Sequence, residues 1–258
     1  MNFNTHLPSR ANAINSLVKK YSTLDYFVQL KDHLNSIYPG NNFDSYSKYE
    51  LHKLLNELVF KNYKGEEILK YKLSKCFFEK RNMVAAFEIK VKKSRVDFLT
   101  INGHTTSYEI KSELDNFSKL SKQMADYILA FEYNYLVVDE LHVEKAKDVV
   151  EKSFGLWSYK GGKFRIHKKA TLNQQLNPQV QLSLLTKQER LRYFSDQGNI
   201  DKILSANSKD FINQEFKMIL KQRYKNRWQF LTAHQEVILP IDTQFFFNNN
   251  IKPQLIYF

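Results

Sequence analysis

The chain has little of what several protein classes need. One cysteine, Cys76, among 258 residues leaves no disulfide framework and no cysteine-based zinc site. Seven glycines, none grouped in the pattern that role needs, supply no phosphate-cradling loop, and seven histidines show no paired metal-ligand spacing. No apolar run reaches the ~18 residues that a membrane span needs. The start, Met1 to Ala13, lacks the apolar centre of a signal peptide. A cytoplasmic location with no membrane partner is expected by elimination.

What the chain has is basic charge. Lys and Arg number 39 against 27 Asp and Glu, a formal charge of +12 that favours an anionic partner. Residues 60–95 hold eleven Lys/Arg and four Glu. Lys160 to Lys169 has five basic residues and no acid, as does Lys217 to Arg227, where Tyr224 and the adjacent Trp228 are placed to stack on bases. Phosphate contacts dominate nucleic-acid affinity, so nucleic acid is the expected partner. A homodimer or a protein partner is left open.

One segment names a chemistry. Arg95-Val96-Asp97 is followed by Asn102-Gly103 and then Glu109-Ile110-Lys111. Asn-Gly between β-branched and aromatic runs is a strong hairpin signal, because both residues tolerate positive φ. Strand side chains alternate faces, so Glu109 and Lys111 share one. A two-residue loop at Asn102-Gly103 would set Asp97 opposite Tyr108. A three-residue loop, Asn102 to His104, would set Asp97 opposite Glu109, and the expectation follows that register or a bulge equivalent to it. Asp97 and Glu109 then offer two carboxylate oxygens and the Ile110 carbonyl a third, a hard-oxygen set suited to Mg²⁺ or Mn²⁺. Lys111 is placed to hold an attacking water and stabilise charge on a phosphorane-like transition state. Apolar Phe98, Leu99, Ile101, Tyr108 and Ile110 suggest a covered sheet, in which a carboxylate is costly unless paired or bound to metal.

The Asp97…Glu109-x-Lys111 pattern on adjacent strands resembles the PD-(D/E)XK nuclease superfamily, although Val96 stands where its name has proline. Glu88 matches the extra upstream glutamate of many members, or is simply a residue of a half-exposed strand. Gln123 and Tyr127 match the Gln-x-x-x-Tyr of RecB-like members. Glu88 to about Val138 is similar to a set of uncharacterised bacterial proteins within that superfamily, and the resemblance covers roughly residues 50–170. It implies an α/β restriction-endonuclease-like core, α-β-β-β-α-β, with a mixed sheet. It also implies metal-dependent phosphodiester hydrolysis, with Asp97, Glu109 and Lys111 catalytic and Glu88, Gln123 and Tyr127 supporting. Arg95 either contacts phosphate or pairs with Glu88, and with Lys92 and Lys93 it is the nearest cationic set for nucleic acid.

Around that core, periodicity predicts helices over 10–38, 47–60 and 66–80. Asp115-Asn116 is expected to cap a helix from about Phe117 to Phe131, with Leu120, Met124, Tyr127, Ile128 and Phe131 as its apolar stripe. Tyr135 to Val138 reads as a buried parallel strand, 143–152 as a charged helix, and Leu156 to Ile166 as a closing hairpin. Asn173 to Pro178 reads as a linker or bend, with helices at 186–194 and 210–230. Residues 235–258 mix strand-like and loop-like signals, and Phe245 to Phe247 reads as core. The expected parts are a helical N-terminal extension at 1–45, a nuclease-like core at 46–172 and a mainly helical region at 173–258. The rival functions are a non-catalytic nucleic-acid-binding module of the same fold, or an RNA-cleaving toxin or defence effector.

Overall fold

The computed structural model describes residues 7–194 and 198–258. The first six residues of the expected N-terminal extension, the Ala11 side chain and residues 195–197 lie outside the described residues. The chain divides into two compact units, one of Met1–Tyr71 with Phe230–Phe258 and the other of Lys72–Gln229.

The first unit is helical: α1 Leu7–Lys20, α2 Phe27–Ile37, α3 Lys48–Asn62 and the start of α4 Glu66–Lys75. The continuous helix expected over 10–38 is broken at residues 21–26. Asp25 accepts the Ser22 N–H at 2.9 Å, a local bond that competes with the helical ladder. Ser47 and Glu50 form a reciprocal capping box that starts α3. Leu30, Leu34, Leu51, Leu55 and Val59 are among the residues of this unit's apolar core.

The second unit carries a six-stranded sheet in sequential order: β1 Val84–Val91, β2 Ser94–Ile101, β3 Thr105–Lys111, β4 Tyr133–Asp139, β5 Gly155–Lys160 and β6 Lys163–Lys168. β1, β2 and β3 pair antiparallel, β3–β4 and β4–β5 parallel, and β5–β6 antiparallel. Helix α5, Leu120–Tyr127, links the parallel pair β3 and β4, and α6, Val143–Val149, links β4 and β5. The protein is therefore α/β with a mixed sheet, and the elements from α4 to β4 run α-β-β-β-α-β. Helices α7 Pro178–Ser183, α8 Lys187–Phe194, α9 Ile200–Ala206 and α10 Lys209–Ala233 follow. The expected linker is instead packed: Asn173 donates its N–H to the Glu132 carbonyl at 2.8 Å, and Asn177 donates to Leu129 at 2.9 Å.

Helix α5 is shorter than the stretch expected from Phe117 to Phe131. Asp115 accepts the Ser112 N–H at 2.8 Å and Asn116 the Ser118 N–H at 3.1 Å, so both cap local turns rather than the helix. The chain ends in α11 Thr243–Asn249 and α12 Gln254–Tyr257, with no strand among the described residues after 235. Phe246 and Phe247 are buried, as expected of core.

A buried carboxylate ties the first unit together. Asp242 accepts from Thr23 at 2.8 Å, Tyr257 at 2.7 Å, Asn56 at 3.2 Å and Tyr21 at 3.0 Å. Four donors offset part of the cost of removing it from water. Burial still raises its pKa, so its contribution to stability is greatest in acid and falls as pH rises. His52, 2.8 Å from the Tyr21 hydroxyl, works in the opposite sense. Burial first, then the charge of Lys48, lowers its pKa from 6.5 to about 4. The unfolded chain takes up that proton before the folded one does, so this stability is present above pH 6.5 and lost as pH falls toward 4. His52→Gln is therefore expected to flatten the decline of melting temperature across that interval. Parallel declines in wild type and variant would contradict the assignment.

Candidate active site on the acidic face of the sheet

The β2–β3 hairpin closes through three residues, Asn102 to His104, with Gly103 at φ 78. Its register pairs Ile101 with Thr105 and Phe98 with Tyr108, and continuing by one residue sets Asp97 across from Glu109. On the other side, Phe87 pairs with Phe98 and Ile89 with Val96, which sets Glu88 across from Asp97. Glu88, Asp97 and Glu109 thus form one row across three strands, on one face of the sheet.

Glu88 departs from strand geometry. Its φ is 58 in the middle of β1, a region that non-glycine residues seldom occupy. A carboxylate oxygen of Glu88 lies within 4.8 Å of one from Asp97. The Arg95 guanidinium is 3.7 Å from Glu88 and most of its side chain is exposed.

The other acidic members are held by named partners. Asp97 is 7% exposed, and its Oδ2 accepts the Ile110 N–H at 2.6 Å. The Ile110 amide thus ties Asp97 to the strand that bears Glu109 and Lys111. Glu109 is 1% exposed, with Lys111 Nζ 2.5 Å from Oε1 and the Tyr127 hydroxyl 2.7 Å from Oε2. Helix α5 brings Tyr127 over this face because Leu120, Met124 and Tyr127 form its buried stripe. Burial foremost, then the charges of Glu109 and Asp97, keeps the Tyr127 phenol protonated far above its ordinary range. The phenol therefore keeps its proton, which it shares between Glu109 Oε2 at 2.7 Å and the Arg95 carbonyl at 2.6 Å. Gln123 hydrogen-bonds Tyr127, one turn away, while its own buried Oε1 has no partner among the described residues.

The nearby cations divide by position. Lys92 and Lys93 form the β1–β2 turn and are exposed, with Lys92 at φ 52 and 3.4 Å from Asp126. Asp126 and Ser94, neither singled out from sequence, meet at 2.7 Å and fasten α5 to that turn. The sequence hint was slight: an aspartate beside Tyr127 in a helix. Glu132 was also missed. It is buried and accepts from Lys217 at 2.9 Å, Asn213 at 3.0 Å and the Thr105 N–H at 2.8 Å. Those donors lower its pKa against the effect of burial. Glu132 and Lys217 are 85 residues apart, so no local pattern links them.

The third basic run is therefore only partly exposed. Lys217 is buried on Glu132 and Arg223 pairs with Glu189. Trp228 is 2% exposed and packs edge-on against Phe78 at 5.5 Å, so it is core and does not stack on bases.

The fold defines an α/β protein with a mixed sheet and a carboxylate row beneath a helix, and comparison adds a family. The family model described as bacteriophage P4 protein cII matches residues 52–246, and the chain belongs to that family. No curated protein matches. Among solved structures, a protein of unknown function from Silicibacter pomeroyi is 21% identical, with a TM-score of 0.29 over 37% of this chain. The match spans 64% of that protein's length. No helix among the described residues is long and apolar enough to cross a membrane.

Tyr127→Phe leaves Glu109 buried with one fewer donor and is expected to cost about 1–3 kcal/mol. Denaturant unfolding measures this, and unchanged stability would contradict the contact's role.

Proposed function

We propose that the sheet-bearing unit is a metal-dependent phosphodiesterase acting on nucleic acid, with DNA the favoured substrate. The observation that carries this is the row of Glu88, Asp97 and Glu109 on one face of the sheet, with Lys111 on Glu109. The run of elements from α4 to β4 supports a restriction-endonuclease-like core, as do Gln123 and Tyr127 behind Glu109. The +12 charge supports an anionic substrate.

The donor set fits a hard divalent cation. Carboxylate oxygens are the preferred ligands of Mg²⁺ and Mn²⁺, and the Glu88–Asp97 pair would hold the ion, with Glu109 across from Asp97 on the next strand. Such an ion would supply Lewis-acid polarisation of a phosphoryl oxygen and help orient the attacking water. The protein's own groups do the remainder. Tyr127, backed by Gln123, fixes the orientation of Glu109. Lys111 holds the other Glu109 oxygen and stands ready to stabilise charge on the phosphate as the attacking oxygen approaches. Arg95, Lys92 and Lys93 are exposed near the row and would contact the phosphate backbone.

Cleavage of single- and double-stranded DNA and of RNA, with Mg²⁺, Mn²⁺ or EDTA, tests the proposal. Metal-dependent cutting is expected in wild type and absent in Asp97→Ala. Lys111→Ala is expected to abolish cutting while retaining binding. No cutting by wild type on any substrate, with salt-sensitive binding intact, would favour a non-catalytic nucleic-acid-binding module. Cutting of RNA alone would favour an RNA-directed effector.

A further inference from the structure

The face of the sheet turned away from the carboxylates carries a groove of about 400 Å³. Ligand sites usually span roughly 300–1,000 Å³. Tyr108, Tyr133, Tyr135 and Trp157 supply much of its lining, with Lys80 and His104 also contributing. Tyr108 and Tyr135 stack at 5.5 Å with planes 13° apart, and Trp157 meets them edge-on at 5.8 and 5.3 Å. The aromatic run continues onto β6, where Phe164 lies 6.1 Å from Trp157 and 4.9 Å from Tyr159.

The register builds this track. Phe87, Phe98, Tyr108 and Tyr135 pair in one row across β1 to β4, ending at Gly155 on β5. The Tyr135 ring lies over Gly155, where an added Cβ would come within 2.1 Å of it. Phe87 and Phe98 are core. Tyr133, Tyr135 and Trp157 are only half-buried, which leaves ring surface open.

Charge and hydrogen bonding narrow the occupant. Among the described residues, no Asp or Glu lines the groove. Lys80 sits over the Phe77 ring at 4.6 Å and Lys72 over Tyr159 at 4.4 Å, so cations border the aromatic run. The Trp157 indole N–H is buried and has no acceptor among the described residues, while Thr100, Asn102 and Thr106 add polar groups to the lining. A flat, hydrogen-bonding ligand attached to negative charge fits these features. We propose that the groove takes the bases of single-stranded nucleic acid. Bases of any sequence offer a π-face for stacking, and in a duplex those faces are covered. The inference is independent of cleavage, because the groove uses none of the carboxylates.

The test uses the full chain in EDTA, so that no metal-dependent cutting intervenes. Binding of a labelled oligothymidylate of about 15 nucleotides is followed by anisotropy, together with tryptophan fluorescence. Of the two tryptophans Trp228 is buried, so quenching is expected to come from Trp157 and to vanish in Trp157→Phe. Tyr135→Ala is expected to weaken binding about tenfold or more, and Tyr135→Phe to stay within about twofold of wild type. Lys80→Ala, a change at an exposed side chain that leaves the core intact, is expected to weaken binding and reduce its salt dependence. Duplex bound as tightly as single strand would overturn the proposal. So would thymidine monophosphate matching the oligomer, or a folded Tyr135→Ala with wild-type affinity.

Discussion

A carboxylate inside a covered sheet has to be compensated, and that requirement organises this protein. Glu109 is held between Lys111 and Tyr127, and Asp97 against the Ile110 amide. Glu132 is closed by Lys217, Asn213 and Thr105, and Asp242 by four donors from three separate parts of the first unit. Each acid is buried at a cost that only several hydrogen bonds offset. Glu132 and Asp242 lie at the centre of closed networks that join distant segments. The row of Glu88, Asp97 and Glu109 differs: three acids stand side by side, one of them in a strained backbone conformation. Adjacent like charges raise each other's cost, and a bound cation would relieve it.

The hairpin register is what brings the row into being. One residue fewer in the loop would turn Glu109 to the other face and set Tyr108 across from Asp97. The same register aligns aromatic residues in the neighbouring row, so the two faces have separate chemistries. The face beneath α5 carries carboxylates and a lysine. The opposite face carries a stacked aromatic track bordered by lysines.

Much of the site's frame was legible in the sequence because it is local. Asn102-Gly103, the strand-like runs on either side and the Glu-x-Lys spacing together define the hairpin, and Gln123 and Tyr127 are one helical turn apart. The parallel strand at Tyr135 and the closing hairpin were legible for the same reason. What was not legible depends on distant partners. The break after α1 forms where Tyr21 and Thr23 turn to Asp242, more than two hundred residues away. Lys217 and Trp228 look like surface groups in a basic run, yet tertiary packing buries both. Asp115 and Asn116 have the composition of a helix cap, but bond to nearer amides. The positive φ of Glu88 leaves no mark in an alternating run such as Phe87-Glu88-Ile89-Lys90.

That the carboxylate row would hold a divalent cation is tested, without reference to cleavage, by a paramagnetic-resonance titration with Mn²⁺. Wild type is predicted to hold Mn²⁺ stoichiometrically, and Asp97→Asn, folded by circular dichroism, is predicted to lose that site. Equal Mn²⁺ binding by the two proteins, or none by wild type, would contradict the claim.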